Sequence, residues 1–350
     1  MQTPPSIRSA KPALEAAHPL PRLFSDRCVQ IFFEEWTPLF PVLHRPTFLG
    51  MYEEYVSGSE RMMNDRELAQ LHLVFGIAAL SSNMPDKDHI DFCEDQWRAS
   101  LDSLSMDNTL PTLQNYVLAI LYCILKGDRQ RLQQHYRGMA VELSHRLGLH
   151  QSQKVFSIGA LTAETRRKVF WTLYTVEWYV NATPRSAPLT QYSFSSALLG
   201  LPTLLAKGND IQCEYPTAID DEYVTEEGFL PTLPGELPRI SAALALFRVS
   251  RILSSVLCQN YHTTASHEDS LQPLPALEAE LNNWSNELPS HLKLNFERDK
   301  PPTNVRGSRS ALLVSSGSSS NHYSSNVIIV SLLSLHSFID TSTGGGLVLG

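Results

Sequence analysis

Apolar positions recur at helical spacing in one segment of the chain after another. Residues 1–21 precede that pattern; they are proline-rich and polar and read as disordered. A first helix is predicted from about Arg22 to Trp36, ending in the aromatic run Phe32-Phe33-Glu34-Glu35-Trp36. Prolines 38, 41 and 46 then lack an N–H donor and clash with the turn before them. They predict a stiff corner and a new helix starting near Thr47. Phe40, Val42, Leu43 and Phe48 make that corner apolar and predict its burial. Leu68, Leu71, Phe75 and Ala78/Ala79 share one face of a helix over Arg66–Leu80. Pro111 suits a helix's first turn, and Leu113, Tyr116, Val117, Ile120, Leu121 and Ile124 carry a buried stripe up to Gly127-Asp128. The next helix carries Leu132, Tyr136, Met139, Leu143 and Leu147, with Gly148 as its stop. Thr162 is the predicted cap of a helix through about Trp178, with Val169, Phe170, Leu173 and Tyr174 inward. The segment Leu237–Gln259 is apolar on more than one side, which predicts a central position. No alternating run would build a sheet, so the fold class is all-α.

Composition sharpens this in three places. A chain of 350 residues with 43% hydrophobic residues can bury a sizeable core. Its net charge of −8 gives the whole chain no basic footprint for phosphate backbones. Five dispersed cysteines, several in apolar helical contexts, read as buried thiols of a reducing compartment. The N-terminus has no apolar secretory core, and the longest apolar run, Val327 to Leu335, is too short to span a bilayer. The expectation is a soluble intracellular protein with no membrane partner. Two segments depart from the rest. Residues 179–191 read as an inserted polar loop. Residues 313–350 read as a disordered low-complexity tail; in 314–350, 16 of 37 residues are Ser or Gly. Both read as translated introns or a frameshift in the gene, with ordinary loops of a divergent protein as the alternative.

Candidate chemistry is sparse. The acidic run from Asp220 to Glu227 raises metal or diphosphate binding, and Asp220-Asp221 in an all-α protein suggests an isoprenoid-type enzyme. That chemistry needs a second metal motif on a later helix, and 237–296 holds none. Arg166, Arg167 and Lys168 fall on one helical turn and read as a solvated face. Phe170 and Trp171 read as core aromatics. His145 and His150, five apart with Gly148 between them, are expected on different sides of a helix. Phosphate loops, dinucleotide glycines and nucleophile elbows are absent from the sequence. No catalytic residue and no metal ligand is assigned, and a cofactor-binding residue cannot be named. A helical interaction scaffold is the other alternative, although no repeat of about 34–45 residues is visible.

Five motifs in order carry a family resemblance over residues 31 to about 312. They are the corner Pro38–Phe48; Leu110-Pro111-Thr112-Leu113-Gln114 with Leu121-Tyr122; Arg137-Gly138 through Leu147-Gly148-Leu149-His150; Arg166-Arg167-Lys168-Val169-Phe170-Trp171; and Leu199 to Pro202 followed by Asp210-Ile211, Glu214-Tyr215-Pro216 and Asp220-Asp221-Glu222. Together they resemble the regulatory, or middle homology, domain of fungal zinc-cluster transcription factors, of the xylanolytic-activator type. The resemblance implies an all-α regulatory domain over 22–312, C-terminally incomplete, in a nuclear protein that controls transcription by RNA polymerase II and is not an enzyme. It implies zinc and DNA binding through an upstream six-cysteine cluster, which Cys28 alone cannot form. This chain is therefore expected to hold no cofactor and to reach DNA only through that absent module. A homodimer, a small-molecule effector and a transcriptional co-regulator are the other partners implied.

Overall fold

The computed structural model describes residues 20–58, 63–82, 85–104, 106–128, 131–182, 211–260, 274–289 and 292. The tail 313–350, nearly all of 1–21, and 183–191 of the inserted segment lie outside them. Nine α-helices carry the described fold: α1 Arg22–Ile31, α2 Arg45–Val56, α3 Asp65–Leu80, α4 Lys87–Ser103, α5 Leu110–Lys126, α6 Arg137–Arg146, α7 Ala160–Ala182, α8 Ser241–Asn260 and α9 Leu274–Glu287. Wide turns of π-helix extend α1 through Phe32–Trp36 and lead into α6 through Leu132–Tyr136. Among the described residues the only β pairing is an isolated bridge between Val224 and Phe229.

Local chemistry sets the helix ends. The Asn64 side chain accepts from the Glu67 amide while the Glu67 carboxylate accepts from the Asn64 amide, a reciprocal cap for α3. Asp86 caps α4, and Thr109 caps α5 ahead of Pro111. Gly127 and Gly148 close α5 and the α6 segment at φ +73° and +69°, a conformation a side chain would resist.

α5 lies at the centre. It packs on α3, α6 and α7, while α3 also packs on α1 and α4, and α8 lies between α7 and α9. The stripe predicted for α5 extends around the whole helix: Thr112 through Cys123 are all buried. Its polar members are satisfied, with Gln114 Nε2 donating to Val42 O (2.7 Å) and Asn115 Nδ2 to Arg66 O (2.9 Å). The corner is buried as predicted, with Phe40, Val42, Leu43 and Phe48 all in the core. Phe33 packs on Phe48, Trp36 stacks on Phe40, and the Trp36 indole donates to Ser81 Oγ.

Several boundaries depart from the sequence reading. Leu20, within the stretch read as disordered, belongs to the core. α4 and α9 were not predicted. α4 buries only Ile90, Cys93, Trp97 and Leu101 among its apolar residues, a stripe hidden in a charge-rich stretch. α7 starts at Ala160, two residues before Thr162, and runs on to Ala182, four residues into the expected loop. α8 starts at Ser241, leaving Leu237 exposed. Cys28, Cys93, Cys123 and Cys213 are buried free thiols; burial pushes Cys28, Cys123 and Cys213 up to about 12.

Candidate functional site

The basic run on α7 is not a solvated face. Lys168 is 5% exposed and Arg166 9%, and each of the three cations ties α7 to a different stretch of chain. Arg166 donates to Gln153 Oε1 and to Leu147 O (both 2.5 Å) and lies over the Phe156 ring. Arg167 pairs with Glu164 (2.6 Å) and Glu214 (3.7 Å). Lys168 Nζ donates to Asp221 Oδ1 at 2.6 Å. Three charges on one turn are tolerated inside because each finds an anion or a carbonyl, which buried charge requires.

The 211–227 segment supplies the matching groups along α7. Trp171 stacks on Tyr215 (4.3 Å between centroids), and its indole donates to Glu214 O. Glu164 accepts from the Thr217 amide and hydroxyl. The carbonyls of Glu226 and Thr225 accept from the Ala160 and Leu161 amides, two donors at the start of α7. The Thr162 hydroxyl is turned to the Glu226 carboxylate. A side chain at Gly159 would collide with Glu226, so glycine permits this approach. At Glu214, burial raises the carboxyl pKa, but hydrogen bonds from Ser152 and the Gln153 amide, with Arg167 nearby, leave it below the usual range.

Asp220 and Asp221 each hold the beginning of a different helix. Asp221 Oδ2 accepts from the Arg45 amide (2.8 Å), the first residue of α2, while Oδ1 receives Lys168 from α7. The Asp221 carbonyl can only accept, so His44 Nε2 is the donor at 2.9 Å, while Nδ1 lies 2.7 Å from Thr47 Oγ1. Arg45 also reaches Glu222 at 3.0 Å. Asp220 Oδ1 accepts from the Arg239 amide (2.7 Å) at the entry to α8. Burial raises the Asp220 carboxyl pKa, opposed by the amides of Arg239 and Ile240. The corner, α7, the acidic turn and the start of α8 thus meet around one small pocket. It is about 30 Å³ and is lined by Phe33, Pro41, Arg45, Lys168, Asp221 and Arg239 among others. That is room for about one water.

This arrangement corrects the metal and diphosphate reading of Asp220/Asp221. Their carboxylates already serve an ammonium and backbone amides, and the pocket they line has room for about one water. Among the described residues no group of three or more His, Cys, Asp or Glu side chains could hold a metal ion. The histidine expectation also fails. The His145 and His150 rings lie 5.2 Å apart, because the left-handed turn at Gly148 folds the chain back. Phe170, Trp171 and Tyr174 are fully buried as predicted.

Two further charged centres escaped the sequence reading. Arg137 on α6 and Glu177 on α7 form a buried two-bonded pair at 2.6 and 2.5 Å. Glu94 on α4 is buried beneath Arg98, Lys126 and Arg131 and accepts from the Tyr122 hydroxyl at 2.7 Å. Apart from the i,i+4 contact of Arg98 with Glu94, these bonds join residues at least 28 positions apart, beyond any local pattern.

Among the described residues, motifs distant in sequence thus lock onto one another within a helical body. Residues 29–192 match the fungal specific transcription factor domain, the middle homology region of a family that includes zinc-cluster factors. The chain is 55% identical over 305 residues to the transcriptional activator protein acu-15 of Neurospora crassa, covering 87% of this chain and 31% of that protein. It is 24% identical to the activator of stress genes protein 1 of Candida albicans (73% and 27%). It is 23% identical to the transcription factor FBD3 of Fusarium pseudograminearum (81% and 37%). The chain thus spans about a third of the length of these relatives. No solved structure matches it.

Proposed function

We propose that this chain is the regulatory part of a nuclear transcriptional activator of RNA polymerase II genes, of the xylanolytic-activator type, and that it performs no catalysis. DNA is read by a zinc-cluster module that these 350 residues do not contain, and zinc belongs to that module. The observation that carries this reading is the convergence of three sequence motifs at Asp221. His44 and Arg45 of the corner and Lys168 of the Phe-Trp helix all bond to Asp221 of the acidic turn, across 177, 176 and 53 positions of sequence. A hub of this kind has a locked and an opened arrangement, and a small-molecule effector, a co-regulator or a second copy acts by favouring one of them. The kinship with acu-15 supports the activator sense.

The test is to fuse the chain to a heterologous DNA-binding domain and activation segment and to read a reporter. The wild-type chain should modulate the output, and Asp221→Asn should shift that modulation at equal protein level. A wild-type chain that leaves the reporter unchanged would refute the regulatory reading.

A further inference from the structure

Half of the large hydrophobic side chains exposed among the described residues lie in one short stretch after the acidic turn. Phe229, Leu230, Leu233 and Leu237 are 46%, 48%, 69% and 61% exposed. Their sequence is Phe229-Leu230-Pro231-Thr232-Leu233-Pro234-Gly235-Glu236-Leu237-Pro238, in which every leucine precedes a proline. Proline fixes its own φ and confines the residue before it to extended conformations, so 230–234 is held open by its own covalent structure. Leu-Pro recurs at a spacing of three, the period of a polyproline helix. In a polyproline helix that spacing sets Leu230 and Leu233 on one edge and Pro231 and Pro234 on the next.

The stretch is tethered while its apolar side chains stay outside. The Leu230 amide donates to Tyr223 O (2.8 Å), and the Tyr223 hydroxyl donates to Glu236 (3.0 Å). Val224 bridges Phe229, and the Glu236 amide turns back onto Leu233 O at Gly235, whose φ is +83°. Order with exposure is the state that loses least entropy on binding. Its charge is one-sided: between positions 224 and 238 stand Glu226, Glu227 and Glu236, with no lysine or arginine.

We propose that Phe229–Pro238 is a docking ligand for a second protein, read by a groove lined with aromatic side chains and rimmed by basic residues. Aromatic grooves accept extended proline-rich segments because little conformational freedom remains to be lost, and the carboxylates at the base of the strap match a basic rim. The inference stands apart from the regulatory reading, since it uses neither Asp221 nor its partners.

The experiment titrates the full chain against purified domains of three groove classes (SH3, WW and EVH1) by fluorescence anisotropy at two salt concentrations. At least one should bind, more weakly at the higher salt. The double variant Leu230→Ala/Leu233→Ala should weaken that binding by about tenfold or more. Both residues are exposed, and an unchanged circular dichroism spectrum shows that the variant folds. Failure of all three classes, or binding indifferent to the double variant, would overturn the proposal. So would a concentration-dependent dimer in sedimentation that the double variant abolishes, because the strap would then be covered by a second copy.

Discussion

Asp221 joins two distant elements through one side chain, which holds both Lys168 and the start of α2. Asp221→Ala strands a buried ammonium together with a helix-end amide, and should destabilise the fold by about 3–5 kcal/mol in urea unfolding. Lys168→Met should cost less, because the carboxylate keeps the Arg45 amide. Equal losses would mean that the ion pair alone matters. His72 gives the second residue-scale prediction. It is buried among Tyr55, Phe75 and Phe92, its Nδ1 donates to Leu68 O, and burial lowers its pKa to about 4. The unfolded chain takes up this proton near pH 6.5, whereas the folded protein resists until about pH 4. This contribution is therefore fully present above about pH 6.5 and is lost as pH falls towards 4, up to about 3 kcal/mol. His72→Leu should flatten that part of the stability profile; an unchanged acid limb would place the sensitivity elsewhere.

At the scale of elements, the contact between α3 and α5 depends on Gly76. A β-carbon there would meet the Tyr122 ring at 2.7 Å, and that ring is held by its hydroxyl on Glu94. Gly76→Ala should destabilise by about 1–3 kcal/mol despite its gain in helix propensity. Stabilisation in a thermal melt would show that the two helices can part. The helices themselves were largely legible: α3, α5, α7 and α8 carry runs of apolar residues that only burial can satisfy. α4 was missed because Lys87, Asp88, Asp91, Glu94, Asp95 and Arg98 break up the eye's view of Ile90, Cys93, Trp97 and Leu101. The placement of Arg166, Arg167 and Lys168 was misread for a different reason. A charge run looks exposed when its partners are distant in sequence, and Glu214 and Asp221 lie 47 and 53 positions beyond the cations they meet. His145 and His150 were separated on a helical wheel that no longer applied once Gly148 had turned the chain.

At the scale of the whole molecule, the net charge of −8 bears on nucleic acid. The purified chain should bind duplex DNA no more tightly than about 10⁻⁴ M at physiological salt. Salt-sensitive, sub-micromolar binding to a defined site would contradict the assignment of DNA reading to a separate module. The central claim is that the acidic turn joins the corner, α7 and α8 into one cooperative unit. Amide hydrogen exchange on wild type and Asp221→Asn tests it most directly, because it reads local opening along the chain. The account predicts that protection falls together around 44–48, 160–171, 219–223 and 239–243, while the α3–α4 pair keeps its protection. A loss confined to 219–223 would contradict it, showing that the turn merely rests on a body that holds together without it.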